Sequence, residues 1–268
     1  MAWQHVLVLG ASGIAAMRAA LERGDLDEAV RPGALAGPVV VERALHAGDR
    51  ATRLAGIAAA PVVEDRAELL DALADAAGGP DRRTAIPAAA AARAIARELE
   101  RQGRPDDLAA DDVAGWRATW SALALRGDRW IELRLLALDT AFALDPLGTG
   151  VELAAALHDP DPALRHAAAN LVALPAPAAT YRALADAVIH DLDAGVALDA
   201  ARALCGALDA AAPRPILDAL GGAGIARIRA LVTASDPRPD PPAARDAARC
   251  LAADGSPAST AALRALGG

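Results

Sequence analysis

The stretch ELAAALHDPDPALRHAAANLVAL (152–174) decides the fold, because it holds two helical patterns separated by one sharp turn. The first pattern ends at His158, and the turn DPDP follows it. Proline cannot continue a helix but is tolerated at a first helical position, so Pro162 marks the start of the second helix. Asp161 stands just before it and can cap the free backbone N–H groups. The second helix places small and aliphatic residues on one face: Leu164, Ala167, Ala168 and Leu171.

Weaker copies of this helix–turn–helix unit recur along the chain. One of them repeats the Asp161-x-x-x-Arg165 spacing with Asp49 and Arg53. Two others keep the turn or the alanine pair and vary the charged positions. The three copies are GDRATRLAGIAAA (48–60), HDLDAGVALDAARALCGAL (190–208) and DPPAARDAARCLAA (240–253).

The unit resembles a HEAT repeat. The resemblance is carried by the Asp161-x-x-x-Arg165 spacing, the pair Ala167–Ala168 and the closing Leu171, and it is strongest over 150–255. It implies a right-handed α-solenoid of stacked antiparallel helix pairs, which serves as a scaffold for protein partners. Elementary physics favours the same stacking, since one Ala/Leu helix pair cannot bury its apolar face alone.

The charged residues of the unit have structural roles in this interpretation. Asp161 caps the second helix, and Arg165 forms an ion pair with the next repeat. We expect Asp49 and Arg53 to do the same in their copy. Two histidines at the ends of first helices are expected to bind free carbonyl groups there. They are His158 and His190.

The composition favours helices throughout. Hydrophobic residues make up 54% of the 268 residues, mostly as alanine and leucine, and aromatic residues make up 2%. Alanine and leucine are strong helix formers, and the residues that fill β-sheets are scarce. The sequence therefore predicts a single all-α solenoid over 1–268 of roughly five to seven helical pairs, with an irregular hinge at 101–112. The predicted helices are 14–23, 36–47, 49–60, 65–77, 81–101, 112–125, 128–144, 150–158, 162–174, 176–190, 194–208, 213–220, 223–234, 241–253 and 257–266.

Charge and cysteine content exclude several classes of function. The formal net charge is −8, and a nucleic-acid partner needs a basic surface, so we expect none. We expect no membrane partner either, because no apolar run reaches the roughly 18 residues of a span and an acidic protein is disfavoured at an anionic membrane surface. Cys205 and Cys250 are expected to be free, small core residues, and the location to be cytoplasmic.

A glycine motif near the start offers an enzymatic alternative. Gly10-x-x-Gly13-x-x-Ala16 follows the apolar run 6–9 and resembles the phosphate-binding turn of the short-chain dehydrogenase and related NAD(P)-binding families. That alternative requires parallel strands at 6–9 and near 38–41, because a dinucleotide cradle is built on a sheet. The later residues read as helices, so we predict a first helix with close-packing glycines and no cofactor.

Three tryptophans within 15 residues are the most distinctive local feature. Trp116 and Trp120 share a helix face, Trp130 opens the next predicted helix, and Arg134 follows. Either they fill a wide gap between helices, or they anchor a protein partner, since tryptophan and arginine dominate binding hot spots. A DNA glycosylase built from HEAT-like repeats is a further alternative, which requires an arginine-lined channel. The sequence shows no catalytic or metal-ligand motif, and we predict a non-catalytic scaffold that binds a protein through these four residues.

Overall fold

The computed structural model describes residues 37–103, 108–173, 176–209, 213–234 and 241–267. These residues form thirteen α-helices and three short 3-10 helices, and they contain no β-strand. The all-α prediction is therefore confirmed for the described chain. The predicted helix at 14–23 and the glycine motif at 10–16 lie outside the described residues.

Contacts divide the chain into two compact units, Met1–Asp145 (unit 1) and Pro146–Gly268 (unit 2). The predicted hinge at 101–112 falls inside unit 1, between a helix that ends at Gln102 and one that begins at Ala110. The single solenoid over 1–268 stays a prediction.

Unit 1 consists, in its described part, of three consecutive helical hairpins. Each first helix packs on its own second helix, and helices of the same kind contact each other in chain order: α1, α3 and α5 on one side and α2, α4 and α6 on the other. Two short 3-10 helices, Ala60–Val62 and Arg66–Leu69, join α2 to α3. The helices are α1 (Pro38–Leu45), α2 (Arg50–Ala59), α3 (Leu70–Gly78), α4 (Arg82–Gln102), α5 (Ala110–Ala124) and α6 (Ile131–Leu144).

Unit 2 repeats this arrangement and adds one terminal helix. Its first helices α7, α9 and α11 contact each other in order, as do its second helices α8, α10 and α12, and α13 packs on α11 and α12. A 3-10 helix, Ala207–Asp209, extends α10. The helices are α7 (Gly150–Ala156), α8 (Pro162–Asn170), α9 (Ala178–His190), α10 (Ala194–Gly206), α11 (Pro213–Val232), α12 (Pro241–Asp254) and α13 (Pro257–Gly267).

Aspartate side chains start the second helices of both units. The carboxylates of four N-cap aspartates accept hydrogen bonds from backbone N–H groups of the first helical turn, and each such cap stabilises a helix by about 1 kcal/mol. The caps form two pairs whose members are 32 residues apart in the sequence. The pairs are Asp49 with Asp81 and Asp161 with Asp193. The cap predicted at Asp161 is confirmed, and so is the one expected at Asp49.

Small residues let the helices approach closely. A Cβ atom added at Gly56 of α2 would meet Ala44 and Leu45 of α1 at 3.0 Å. Gly221 of α11 has φ 54° and ψ −169°, which lies outside the helical region and kinks this helix. The kink falls where the sequence predicts a break between 213–220 and 223–234, because glycine adopts positive φ without steric cost.

Two sequence expectations meet a different structure. Residues 38–41, which the dinucleotide-binding alternative needs as a strand, lie in helix α1. The prediction that Cys205 and Cys250 are free thiols is wrong, since their sulfur atoms form a disulfide between α10 and α12. Both cysteines are fully buried, and the Cα atoms are 5.2 Å apart. The stacking of second helices brings them together across 45 residues of sequence, which no local pattern indicates.

None of the helices that the structure describes combines the length and the apolar character needed to cross a membrane.

Candidate functional site

The tryptophans of the predicted binding cluster lie on α5 and at the start of α6. Trp120 is fully buried, and Trp116, one turn earlier on the same face, is 7% exposed. Trp130 is half-buried at the N-cap position of α6. Burial of such large side chains supports the gap-filling interpretation of Trp116 and Trp120. The partner-binding role of the three tryptophans stays a prediction.

Arg134 is a buried arginine that binds the end of the preceding helix. It is 4% exposed, and its Nε donates a hydrogen bond to the carbonyl oxygen of Ala124 at 2.8 Å. Ala124 is the last residue of α5, where helix carbonyls lack an intrahelical partner and carry partial negative charge. Arg134 therefore stabilises a helix terminus inside unit 1. Its assignment to partner binding stays a prediction, and it offers a partner little surface.

Two other arginines near the tryptophans are also bound within unit 1. Arg129 donates hydrogen bonds to the carbonyl oxygens of Gly78 and Gly79, at the end of α3. Arg126 binds both carboxylate oxygens of Asp128, and this hydrogen bonding holds the pKa of Asp128 below its usual value. The DNA-glycosylase alternative requires arginines that line a channel, and these guanidinium groups bind carbonyl and carboxylate groups of the chain instead.

A turn motif recurs in both units with the same hydrogen bonds. In unit 2, Nη1 of Arg165 donates to the carbonyl oxygens of Asp159 and Pro160, which lie six and five residues earlier. In unit 1, Nη1 of Arg53 donates to the carbonyl oxygens at the same two offsets, those of residues 47 and 48. We call this arrangement the arginine turn. It shows that the Asp-x-x-x-Arg spacing has the same structural consequence in both units.

The arginine turn of unit 2 also contains the predicted ion pair with the next hairpin. Nε and Nη2 of Arg165 bind the two carboxylate oxygens of Asp191 at 2.7 and 3.0 Å. Burial acts to raise the pKa of Asp191, but hydrogen bonds from Arg165 and the backbone N–H of Asp193, with the charges of Arg165 and His166, hold it below its usual value. The carboxylate therefore stays ionised in all but acidic solution.

The two histidines at the ends of first helices do not bind carbonyl groups in the described structure. Nδ1 of His158 and Nε2 of His190 lie 3.9 and 3.7 Å from the carboxylate oxygens of Asp186 on α9. All three side chains are more than half exposed. An open cavity of about 530 Å³ lies beside His158, Arg182 and Asp186. Exposed pairs of this kind contribute little to stability.

A polar cluster on the second helices of unit 2 was not predicted from the sequence. Nδ1 of His166 lies 2.9 Å from Oδ2 of Asp199, and the side-chain amide of Asn170 donates to the same oxygen at 3.0 Å. Arg202 binds the amide oxygen of Asn170. A Cβ atom at Gly195 would meet the His166 ring at 2.8 Å, so glycine there makes room for the ring. We call His166, Asn170, Asp199 and Arg202 the unit 2 polar row.

A corresponding cluster joins the second helices α4 and α6 of unit 1. Arg93 and Arg97 both bind the carboxylate of Asp139, whose side chain is 13% exposed. One turn before the start of this cluster on α6, Glu132 binds Arg82 at 2.6 Å. We call Arg82, Arg93, Arg97, Glu132 and Asp139 the unit 1 polar row.

The repeat period is the signal that could have found the unit 2 polar row. His166 and Asp199 are 33 residues apart, and Asn170 and Arg202 are 32 apart, which matches the 32-residue separation of the helix caps. Side chains at equivalent positions of stacked helices become neighbours. The unit 1 polar row has no such signal, since Arg93 and Asp139 are 46 residues apart.

Among the described residues, no group of three or more histidine, cysteine, aspartate or glutamate side chains is arranged to hold a metal ion. No protein-family model matches this chain, and no curated protein matches it.

Proposed function

We propose that this chain is a non-catalytic scaffold of the HEAT-repeat type that binds a protein partner. The arginine turn is the observation that carries the proposal. Asp49 and Arg53 in unit 1, and Asp161 and Arg165 in unit 2, make the same cap and the same carbonyl contacts. Tandem copies of one helical hairpin would repeat such contacts, and stacked hairpins are the architecture of helical repeat proteins.

The packing within each unit supports the same proposal. First helices contact first helices and second helices contact second helices, which is the order of contacts that a right-handed α-solenoid requires. Such a stack presents extended faces made of equivalent helices, and repeat proteins use these faces to bind other proteins.

The polar rows are the binding faces that we favour within this proposal. Both rows run across neighbouring second helices and contain charges of both signs, held in place by contacts between helices. Charged groups that are already positioned lose less side-chain entropy on binding. A partner with a mixed-charge surface fits these rows, because complementary charges give specificity and faster association.

Affinity capture from a lysate of the source organism, quantified by mass spectrometry, tests the function. We expect Arg93→Glu or Arg202→Glu to reduce the enrichment of a partner at least tenfold, because each reverses a charge in a polar row. Arg182→Glu is the matched control, an exposed arginine on the first helix α9, and should leave enrichment unchanged. Equal losses in all three variants, or no enriched protein with wild type, would contradict the proposal.

The expected cytoplasmic location also stays a prediction. Disulfides are rare in cytosolic proteins and persist in oxidising compartments, so the Cys205–Cys250 bond favours a different location or a slow exchange of this buried bond. Alkylation of free thiols in freshly lysed source cells, before any oxidation, measures the state of the two cysteines directly.

A further inference from the structure

The arginine turn of unit 1 lacks the carboxylate that completes the turn of unit 2. Arg165 uses Nη1 for two carbonyl oxygens and both Nε and Nη2 for Asp191. Arg53 uses Nη1 in the same way, but among the described residues no carboxylate forms an ion pair with it. One edge of the Arg53 guanidinium is therefore available to an acceptor from outside the chain.

The register of the next hairpin explains this difference. Asp191 lies two residues before the N-cap residue Asp193, and Gly79 lies two residues before the N-cap residue Asp81. Arg53 is 28 residues before Asp81, and the same number separates the corresponding residues of unit 2. The position that supplies the carboxylate in unit 2 thus has no side chain in unit 1.

A cavity of about 350 Å³ lies at this place. Arg53, Gly79 and Asp81 line it, together with Leu45 and Pro80, which add apolar atoms. Ligand sites in proteins start at about 300 Å³, so this cavity suits a small molecule.

Carboxylates of the chain line the same cavity and restrict the charge of its ligand. The Asp81 carboxylate accepts hydrogen bonds from the Thr84 hydroxyl and the Arg83 backbone N–H, and these bonds hold its pKa below the usual value. Asp75 is exposed and forms no hydrogen bond or ion pair with a described residue. A simple anion would be repelled by these two carboxylates, and a simple cation would be repelled by Arg53.

We propose that this cavity binds a small zwitterion. Its carboxylate would take the place that the Asp191 side chain has in unit 2, on the free edge of Arg53, and its ammonium group would face Asp75 and Asp81. Both ends would then form charge-assisted hydrogen bonds. Free α-amino acids and their ω-amino homologues belong to this class. The site is separate from the polar rows, and the proposal does not depend on the scaffold function.

An NMR titration of the full chain labelled with ¹⁵N tests this proposal. The probes are glycine, β-alanine and 4-aminobutyrate, with acetate and methylammonium as the two separate halves. We expect a zwitterion to shift the Arg53 Nε–H and the Gly79 amide resonances with saturation at roughly millimolar concentration, typical of so small a ligand. Neither half alone should saturate below a tenfold higher concentration.

Gly79→Asp is the decisive variant, because it places a carboxylate of the chain where the ligand's would bind. Gly79 has φ −66° and ψ 164°, which any residue adopts, and its new Cβ would lie 3.2 Å from the Ala76 carbonyl oxygen. We expect this variant to lose the titration. Gly115→Asp, in open space on α5, is the matched control and should keep it.

Asp75→Asn supplies a second test that leaves the turn intact, because Asp75 is exposed. We expect it to weaken binding of the zwitterion about threefold to tenfold, by loss of one ammonium partner. The proposal is overturned if no zwitterion saturates, if acetate binds as tightly, or if Gly79→Asp and Asp75→Asn both bind like wild type.

Discussion

Units 1 and 2 stabilise the same kind of hairpin stack with different chemistry. Unit 1 buries Trp116 and Trp120 and uses arginines to bind helix ends, as Arg134 does at Ala124. Unit 2 contains no tryptophan in its sequence, joins α10 to α12 by a disulfide and completes its arginine turn with Asp191. The difference teaches that the hairpin is set by local signals shared by both units, whereas the contacts between hairpins are interchangeable.

Removal of the largest core side chain should break unit 1 selectively. We expect Trp120→Ala to lower the free energy of unfolding of unit 1 by about 3–5 kcal/mol, through lost burial and the cavity left behind. Trp130→Ala, at a half-buried position, is the control and should cost less. Hydrogen exchange in increasing urea resolves the two units. A stable Trp120→Ala variant that loses its partner would instead favour the binding role of the cluster.

Removal of the disulfide should affect unit 2 in the corresponding way. The bond closes a loop of 45 residues, and we expect the Cys205→Ala/Cys250→Ala double variant to lower the free energy of unfolding of unit 2 by about 2–4 kcal/mol. Reductant should lower the melting temperature of wild type and leave that of the double variant unchanged. A loss of stability in unit 1 of similar size would contradict the comparison.

The Arg165–Asp191 pair should make unit 2 sensitive to acid. At neutral pH, Asp191→Asn should cost about 1.5–3 kcal/mol, because a hydrogen-bonded charge pair is broken. The folded pKa of Asp191 lies below the unfolded value of about 3.9, so the unfolded chain binds more protons as the pH falls through this range. The contribution of the pair is therefore present above the unfolded pKa and is lost as the pH falls through the folded pKa.

Urea unfolding between pH 7 and pH 2 measures this effect. The difference between wild type and Asp191→Asn should shrink as the solution becomes acidic. Asp186→Asn, at an exposed carboxylate, is the control and should follow wild type. A difference that is independent of pH would show that the ion pair does not account for the cost.

The smallest expected effect comes from making the two arginine turns alike. Gly79→Asp should raise the free energy of unfolding of unit 1 by about 0.5–1 kcal/mol, since it supplies the carboxylate that Arg53 lacks. Thermal denaturation at low salt, with Gly115→Asp alongside, measures the gain. Destabilisation by Gly79→Asp would mean that contact with the Ala76 carbonyl outweighs the new ion pair.

The sequence was a good guide to local structure. The turn at 159–162 has proline and aspartate at the positions that helix geometry demands, so the start of α8 and its cap could be predicted. Arg165 could be assigned to the next hairpin because its spacing from Asp161 recurs with Asp49 and Arg53. Even the kink of α11 was indicated, since Gly221 and Gly222 interrupt the helical pattern.

Contacts across hairpins were harder to predict, because they depend on which helix faces meet. Cys205 and Cys250 each look like a small core residue within their own helix, and only the stacking of α10 on α12 joins them. The burial of Trp116 and Trp120 could not be separated from a surface role, since both residues share one helix face in either case. The polar rows were missed because their members occur singly in the sequence.

The disulfide has a topological consequence for unit 2. The backbone from Cys205 to Cys250, together with the sulfur–sulfur bond, forms a closed covalent ring that contains all of α11. A protease that cuts once anywhere within this ring opens it without releasing a piece. The two fragments would migrate together on a gel until a thiol reagent is added.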